Sequence, residues 1–355
     1  MKNFWITSFL LLGLLCSVFA QSSSVLKTNP DSWTMVLLPD LQNYSKNIQN
    51  QPVMEMMTRW VLVNKEALTI RVVLATGDLV DQNNMPVSKA GIGNVGSNLQ
   101  WSSVSKAFET LDGRIPYILA AGNHDFGFSN SENRETQLGK YFPAERNSCL
   151  ENALVSVCKA TGSSSLENAA YELDSPFGPD FLILSLEFSP REVVIQWAKE
   201  LISLPKYKDY RCIVLTHSYL QWTGARIEKE NYPLKDSNAG QALWEKLIYP
   251  SDNISLVISG HIGSLNGFRE NVGFSTDLNH SGKKIHQMVF NAQTLGGKDW
   301  SNNNGGDGWL RLLEFLPDGK TVSVRTFSPL FAISPTTQPF AWRKDSFDQF
   351  SFVLE

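Results

Sequence analysis

The sequence predicts an α/β protein in which strands and helices alternate and the helices cover a sheet. Apolar runs typical of strands, such as "WTMVLLP" and "IRVVLATGD", are followed by helical patterns such as "VMEMMTRWVLVNKEAL" and "LQWSSVSKAFETLD". This alternation predicts βαβ units with parallel strands. A second observation concerns function, because several of the strand-like runs end directly in a side chain that can bind a metal ion.

The remaining elements follow in order. After "IPYILAAGNHD" we expect a loop-rich insertion over residues 126–168. The strands "AAYELD", "DFLILSLE", "YRCIVLTH" and "ISLVISGH" then alternate with helices near residues 190–204 and 239–247. The last third contains "KKIHQMVFNAQ", "GWLRLLEFLP" and "TVSVRTFSP", which are strand-like and lack intervening helical patterns, so it predicts a closing antiparallel sheet.

The composition describes an ordinary globular protein with no strongly charged partner surface. The chain has 355 residues, 42% of them hydrophobic, and a formal net charge of −4. With 31 basic and 35 acidic residues, it shows no global attraction to nucleic acid or to an anionic membrane. The length allows one large core or two smaller ones, and we expect one domain over residues 31–355.

The N-terminus has the pattern of a secretory signal peptide. Lys2 precedes the apolar run "FWITSFLLLGLLCSVFA", which is short for a membrane span and ends at Ala20 in a small-residue cleavage pattern. We therefore expect cleavage after Ala20, a linker over residues 21–30, and a secreted, periplasmic or extracellular protein. A membrane anchor, or a lipid anchor through Cys16, is the alternative; bulky Leu15 before Cys16 disfavours the latter.

Export would place the remaining cysteines in an oxidising compartment. Cys149 and Cys158 lie in one polar stretch and could close a short loop as a disulfide. Cys212 lies inside a strand-like run, which favours a buried free thiol. The spacing of these cysteines is not that of a metal site.

The polar residues at the strand ends carry the functional prediction. Taken one at a time, an Asp after a strand is more often a turn or helix cap, and a His is more often a hydrogen-bonded structural residue. Several in succession are unlikely by chance, and in such sheets the carboxyl ends of parallel strands converge on one crevice. The strand-end residues are Asp40, Asp78, Asn123, His124, His217 and His261.

Carboxylate, amide and imidazole ligands together suit Mn, Fe, Zn or Mg better than a thiolate-selective ion. One carboxylate between two cations can bridge them, and two ions can hold a nucleophile and neutralise a phosphate. Gly77, Gly122 and Gly260 precede three of the candidate ligands. Glycine at these positions is expected to let the backbone turn sharply and approach the metals closely.

These motifs resemble those of the calcineurin-like metallophosphoesterases. The resemblance extends from residue 40 to residue 261, and the pair "GDLVD" and "GNHD" is its most specific part. The motifs, in chain order, are Asp40-x-Gln42, Gly77-Asp78-x-x-Asp81, Gly122-Asn123-His124-Asp125, His217 and Gly260-His261.

The resemblance implies a four-layer α/β/β/α sandwich of two mixed sheets, with one or two divalent ions at the C-terminal strand ends. It also implies a phosphate mono- or diester as substrate. By position, Asp78 would bridge the ions, and Asn123, His217 and His261 would complete one site. His124 would stabilise the transferring phosphoryl group or protonate the leaving oxygen. Asp125 would orient His124.

The chain departs from the family pattern at two positions. The family usually has histidine where Gln42 stands, and a second histidine where Gly263 stands. Both belong to the site that keeps Asp40. We therefore expect that site to be oxygen-rich, with Gln42 as a variant ligand, and weaker for zinc-like ions than for Mg or Mn. The "PDxQ" start and "HQMVFNAQ" resemble a secreted branch of the same superfamily.

Other polar residues have structural interpretations that compete with functional ones. His286 lies within an alternating strand and is expected to be a packed histidine. Asn291 and Gln293 share one face and could reach the crevice, or could satisfy backbone groups.

Two function classes remain open from the sequence. The first is a secreted, metal-dependent phosphoesterase. The second is a binding module for a glycan or a protein that keeps the scaffold after losing one metal site. The presence of Asp78, Asn123 and His124 favours the enzyme, because loss of catalysis would be expected to erode them. Substrate identity and oligomeric state are not readable from the sequence.

Overall fold

The computed structural model describes residues 27–88, 93–162, 165–299 and 303–355. The predicted signal peptide, residues 1–20, and residues 21–26 of the predicted linker lie outside the described residues. Within the described ranges, no helix is long and apolar enough to cross a membrane.

Within these described ranges, the strands form two sheets of seven strands each. Numbered along the chain, they are β1 (Trp33–Leu38), β2 (Ile70–Ala75), β3 (Tyr117–Leu119), β4 (Leu154–Val157), β5 (Ala169–Leu173), β6 (Phe181–Leu186), β7 (Arg211–Thr216), β8 (Ile254–Ser259), β9 (Val272–Leu278), β10 (Lys284–Phe290), β11 (Leu310–Phe315), β12 (Thr321–Phe327), β13 (Trp342–Arg343) and β14 (Phe350–Val353).

Both sheets are mixed and have a parallel centre. The first sheet has the order β13-β12-β11-β1-β2-β3, with β14 also paired to β12. In it β1, β2 and β3 are parallel, and β11 runs antiparallel to β1. The second sheet has the order β4-β5-β6-β7-β8-β10-β9, with β6, β7, β8 and β10 parallel. The carboxyl ends of these parallel strands therefore share one edge in each sheet.

Among the residues that the structure describes, three helices are longer than ten residues and the others span one turn. They are α1 (Gln42–Ser45), α2 (Gln51–Val63), α3 (Lys65–Leu68), α4 (Ser97–Glu109), α5 (Leu138–Tyr141), α6 (Glu192–Ile202), α7 (Gly240–Leu243) and α8 (Pro329–Ala332). A π-helical turn, Trp244–Ile248, continues α7. The predicted helices near residues 190–204 and 239–247 are thus present, the second with a change of helix type.

In the described part of the chain, three apolar cores lie between the four layers of helices and sheets. Alternate residues of β1 point to opposite sides, as the pleat of a strand requires. Met35 and Leu37 belong to the layer between the sheets, together with Ile213 of β7. Val36 and Leu38 belong to the layer that also contains residues of α2 and α4. A third layer joins the second sheet to α6 and α7. The α/β/β/α fold class is confirmed.

The predicted antiparallel pairing of the last strands is present for β9 with β10 and for β11 with β12, but these strands do not form one closing sheet. Of the last-third strands, β10 joins the second sheet parallel to β8, and β9 pairs antiparallel with it. β11 and β12 join the first sheet, where β11 continues the order beside β1. β10 and β11 are buried along almost their whole length although each contains polar residues, so their sequence pattern could not show which sheet each enters.

The predicted loop-rich insertion over residues 126–168 contains less regular structure than the segments on either side of it. Its described part includes α5 and the edge strand β4. Cys149, Cys158 and Cys212 are all free thiols in this structure. The possible disulfide between Cys149 and Cys158 is therefore not formed here. Cys212 is buried, as predicted for a thiol inside a strand.

Candidate functional site

The predicted site residues lie together where the carboxyl ends of the two parallel strand sets meet. Each follows its strand by a few residues, which places side chains from both sheets at one edge. From the first sheet come Asp40 after β1, Asp78 after β2 and Asn123 after β3; from the second come His217 after β7 and His261 after β8.

One half of this centre, which we call the histidine half, is built by Asp78, Asn123, His217 and His261. The His217 Nε2 atom lies 3.0 Å from Asn123 Oδ1 and 3.3 Å from Asp78 Oδ2. The His261 Nδ1 atom lies 2.9 Å from the same Asn123 oxygen and 3.1 Å from His217 Nε2. Adjacent ligands of an octahedral ion, each about 2.1 Å from it, are about 3 Å apart. The four ligand atoms therefore fit one divalent ion.

His217 is oriented from its other ring nitrogen. Its Nδ1 atom lies 2.8 Å from the backbone oxygen of Thr76, at the end of β2. A carbonyl at this position accepts the Nδ1 proton, so the neutral ring has its Nε2 lone pair facing the ligand cluster. The tautomer that metal binding requires is thus already selected by the fold.

The other half, which we call the carboxylate half, is built by Asp40 and Gln42, and it is organised by hydrogen bonds. Asp40 Oδ2 accepts from Asn291 Nδ2 at 2.6 Å and from Gln293 Nε2 at 3.2 Å. Asp40 Oδ1 accepts from Thr76 Oγ1 at 2.8 Å. Hydrogen bonds from amide and hydroxyl donors therefore stabilise the negative charge of Asp40.

Gln42 connects the two halves. Its Nε2 atom donates to Asp78 Oδ2 at 2.7 Å. Its Oε1 atom is buried and has no hydrogen-bond partner in the described part of the chain. A buried acceptor without a donor is costly, and a cation or a water molecule would satisfy it. The carboxylate half thus offers Asp40, Gln42 and the shared Asp78, all oxygen ligands, which fits a hard ion better than a zinc-like one.

The backbone at the centre is tightly packed and strained. Asp78 has a φ of 48° and His261 a φ of 72°, a left-handed conformation that side-chain-bearing residues rarely adopt. A Cβ atom on Gly122 would overlap the Asp78 carboxylate, and one on Gly260 would overlap Asp40 Oδ1. A side chain at either position would therefore displace a carboxylate of the centre.

His124 and Asp125 lie beside the histidine half in a 3₁₀ turn. The His124 backbone N–H donates to Asp78 Oδ1 at 3.0 Å, and its ring Nδ1 atom lies 2.7 Å from the backbone oxygen of Asp81. The Asp125 carboxylate accepts from the backbone N–H groups of Gly122 and Val80. Asp125 thus joins the loop after β2 to the loop after β3. The ring of His124 is held by the Asp81 carbonyl and not, as the resemblance implied, by Asp125.

The electrostatics of the centre favour positive charge near Asp78. Burial would raise the pKa of Asp78, but His217 and His124 outweigh it and hold that pKa well below its usual range. Burial would lower the pKa of His217, but Asp78 and Asp40 raise it to about 10. Burial raises the pKa of Asp40 to about 6, and Asp78 adds to the rise. The raised pKa values of His217 and Asp40 show that these groups retain protons where a bound cation would supply positive charge.

Sequence reasoning left Asn291 and Gln293 undecided and missed Thr76 and Glu230. Asn291 directly follows β10, so it obeys the strand-end rule that found the other residues. The rule concerns parallel strands, and the sequence pattern predicts β10 in an antiparallel sheet. Glu230 lies 3.6 Å from His261 Nε2, in a segment without a recognisable motif.

Comparison with known proteins bears on this centre. A family model described as calcineurin-like phosphoesterase matches residues 46–264 of the chain. YvnB of Bacillus subtilis, an uncharacterized protein, is 29% identical over 300 residues, a match that covers 84% of this chain and 20% of YvnB. This chain thus spans about a fifth of the length of that curated relative. The family match includes the whole histidine half and begins after Asp40 and Gln42.

Two solved structures are similar at low sequence identity. A dimetal phosphatase from Danio rerio has a TM-score of 0.48 and 10% identity, covering 91% of this chain and 99% of that one. GAP50, described as the anchor in the inner membrane complex of Plasmodium, has a TM-score of 0.42 and 12% identity, covering 84% of this chain and 85% of that one.

Proposed function

Because this chain belongs to the calcineurin-like phosphoesterase family, we propose that it is a metal-dependent hydrolase of phosphate mono- or diesters. The single observation that carries the proposal is the convergence of His217 Nε2 and His261 Nδ1 on Asn123 Oδ1, at 3.0 and 2.9 Å, beside Asp78. Two ring nitrogens and an amide oxygen come together here beside a carboxylate, which is the arrangement that the ligands of one ion require.

The donor set assigns the ligands. Asp78, Asn123, His217 and His261 would hold a transition ion such as Mn, Fe or Zn. Asp40 and Gln42, with Asp78 shared, would hold a second and harder ion. Divalent ions bound there would neutralise phosphoryl oxygens and activate water as a nucleophile. The remaining chemistry falls to the residues of the chain.

His124 is the residue placed to handle the phosphoryl group. Its Nδ1 atom is engaged by the Asp81 carbonyl, so a protonated ring presents an N–H at Nε2. Burial would lower the pKa of His124, but Asp78 and Asp81 raise it in the metal-free protein. A protonated Nε2 can donate to a phosphoryl oxygen or give its proton to the leaving oxygen.

The proposal is tested with purified protein loaded with Mn²⁺ or Zn²⁺ and assayed on p-nitrophenyl phosphate and bis(p-nitrophenyl) phosphate. We expect metal-dependent release of p-nitrophenol from at least one of the two. An Asn123→Ala variant should lose both metal and activity. Metal-loaded wild-type protein that hydrolyses neither these esters nor a wider panel of phosphate esters would overturn the proposal and favour a binding role.

A further inference from the structure

The segment between β7 and α7, residues 217–239, passes over the histidine half and places a carboxylate against one of its ligands. Glu230 Oε2 lies 3.6 Å from His261 Nε2, the ring nitrogen that faces away from the ligand cluster. The side chains of Glu230 and His261 are 10% and 18% exposed. The pair is therefore largely shielded from water, which screens such an interaction at the surface.

The Glu230 carboxylate is held in place from both sides. Its Oε1 atom accepts a hydrogen bond from Ser218 Oγ, in the residue that follows His217. Two residues further on, the ring of Tyr232 packs edge-on against Phe188, with ring centroids 5.0 Å apart. Phe188 in turn contacts the imidazole of His261, with centroids 5.7 Å apart. The segment is thus anchored at the centre and is not a loose loop above it.

We propose that Glu230 is a positioning residue of the metal centre, which acts on the ion through His261. This inference rests on the proposed function, because it requires that His261 bind a metal. A carboxylate beside Nε2 keeps the proton on that nitrogen and leaves the Nδ1 lone pair facing Asn123 and His217. Its charge also stabilises the positive charge that ion binding induces in the imidazole.

The two histidines are therefore supported differently. His217 is oriented by a backbone carbonyl, that of Thr76 at 2.8 Å, which no substitution at Thr76 removes. His261 is supported by the charge of the Glu230 side chain at an ion-pair distance. A single substitution can remove this charge while nearly keeping the shape of the side chain. Glu230→Gln is that substitution. Glu228→Gln is its matched control, because Glu228 is exposed on the same segment and has the same charge.

The experiment measures the affinity of the full-length protein for Zn²⁺ and Mn²⁺ by competition with a chelating indicator, together with the visible absorption spectrum of the Co²⁺-loaded protein. We expect Glu230→Gln to weaken binding by about 10–100-fold, as loss of an outer-shell partner typically does. It should also shift the Co²⁺ spectrum. Glu228→Gln should match wild type in both, and the metal-free proteins should unfold at similar temperatures.

Wild-type affinity and an unchanged Co²⁺ spectrum in Glu230→Gln would overturn the assignment while leaving the proposed function intact. A lower unfolding temperature of metal-free Glu230→Gln, with no change in affinity, would likewise overturn it in favour of a structural role. If the wild-type protein binds no metal at all, the proposed function fails, and this inference fails with it.

Discussion

The two halves of the centre share Asp78 but are built on different principles. In the histidine half, ring nitrogens and an amide oxygen converge with few competing donors, so the ligand atoms face one another. In the carboxylate half, Asp40 receives hydrogen bonds from Thr76, Asn291 and Gln293. The charge of Asp40 is thus partly compensated by neutral donors, whereas the histidine half brings two ring nitrogens and an amide oxygen together beside Asp78. We therefore expect the two halves to differ in their affinity for metal ions and in the kind of ion that each prefers.

The largest expected effect comes from removing what the halves share. Asp78→Asn replaces the carboxylate that lies 3.3 Å from His217 Nε2 and accepts the Gln42 amide. We expect metal affinity to fall more than about 100-fold, because loss of a ligand costs more than loss of an outer-shell partner. Activity should fall with it. Elemental analysis after dialysis, combined with the ester assay, measures both; full retention of metal would show that Asp78 is not a ligand.

The next effect separates chemistry from metal binding. His124→Ala removes the ring held by Asp81 but leaves the ligands of the histidine half intact. We expect turnover to fall by about 10²–10⁴-fold, the range typical of a positioned acid or base. Metal content and unfolding temperature should stay close to wild type. A variant with full activity would refute the role given to His124.

A third effect concerns the difference between the halves directly. We expect titration of metal-free wild-type protein with Mn²⁺ to show one tight and one weaker binding event. Restoring the family's histidines with Gln42→His and Gly263→His should tighten the weaker event at least about tenfold and shift its preference toward zinc. Isothermal titration calorimetry with Mn²⁺ and Zn²⁺ checks this. Unchanged stoichiometry and affinity would mean that Gln42 does not contact the second ion.

The smallest effect tests the hydrogen bonds that replace ligands in the carboxylate half. Asn291→Ala removes the 2.6 Å bond to Asp40 Oδ2. We expect the free energy of unfolding of the metal-free protein to fall by about 1–3 kcal/mol, since a buried carboxylate loses a donor. Gln293→Ala should cost less, because its bond is longer, at 3.2 Å. Urea denaturation of both variants measures the difference, and equal or negligible losses would contradict it.

Much of the site could be read from the sequence because of one geometric rule. A polar residue directly after an apolar strand lies at the carboxyl end of that strand, and parallel strands bring such ends together. Asp78, Asn123, His217 and His261 all follow it. The rule left Asn291 undecided, because the sequence pattern does not give the direction of β10 relative to β8. That direction depends on pairing with β8, which is a long-range contact.

The sequence by itself determined the α/β class, the polar residues at the strand ends and the two departures from the family pattern at Gln42 and Gly263. Local patterns are enough for these, because strand periodicity and motif spacing are written in neighbouring residues. Only the tertiary structure decided that the last strands divide between two sheets, and that Glu230 lies against His261. Glu230 stands 31 positions before His261 in the chain. Contacts of this kind depend on how separate segments pack, and no local pattern encodes their distance.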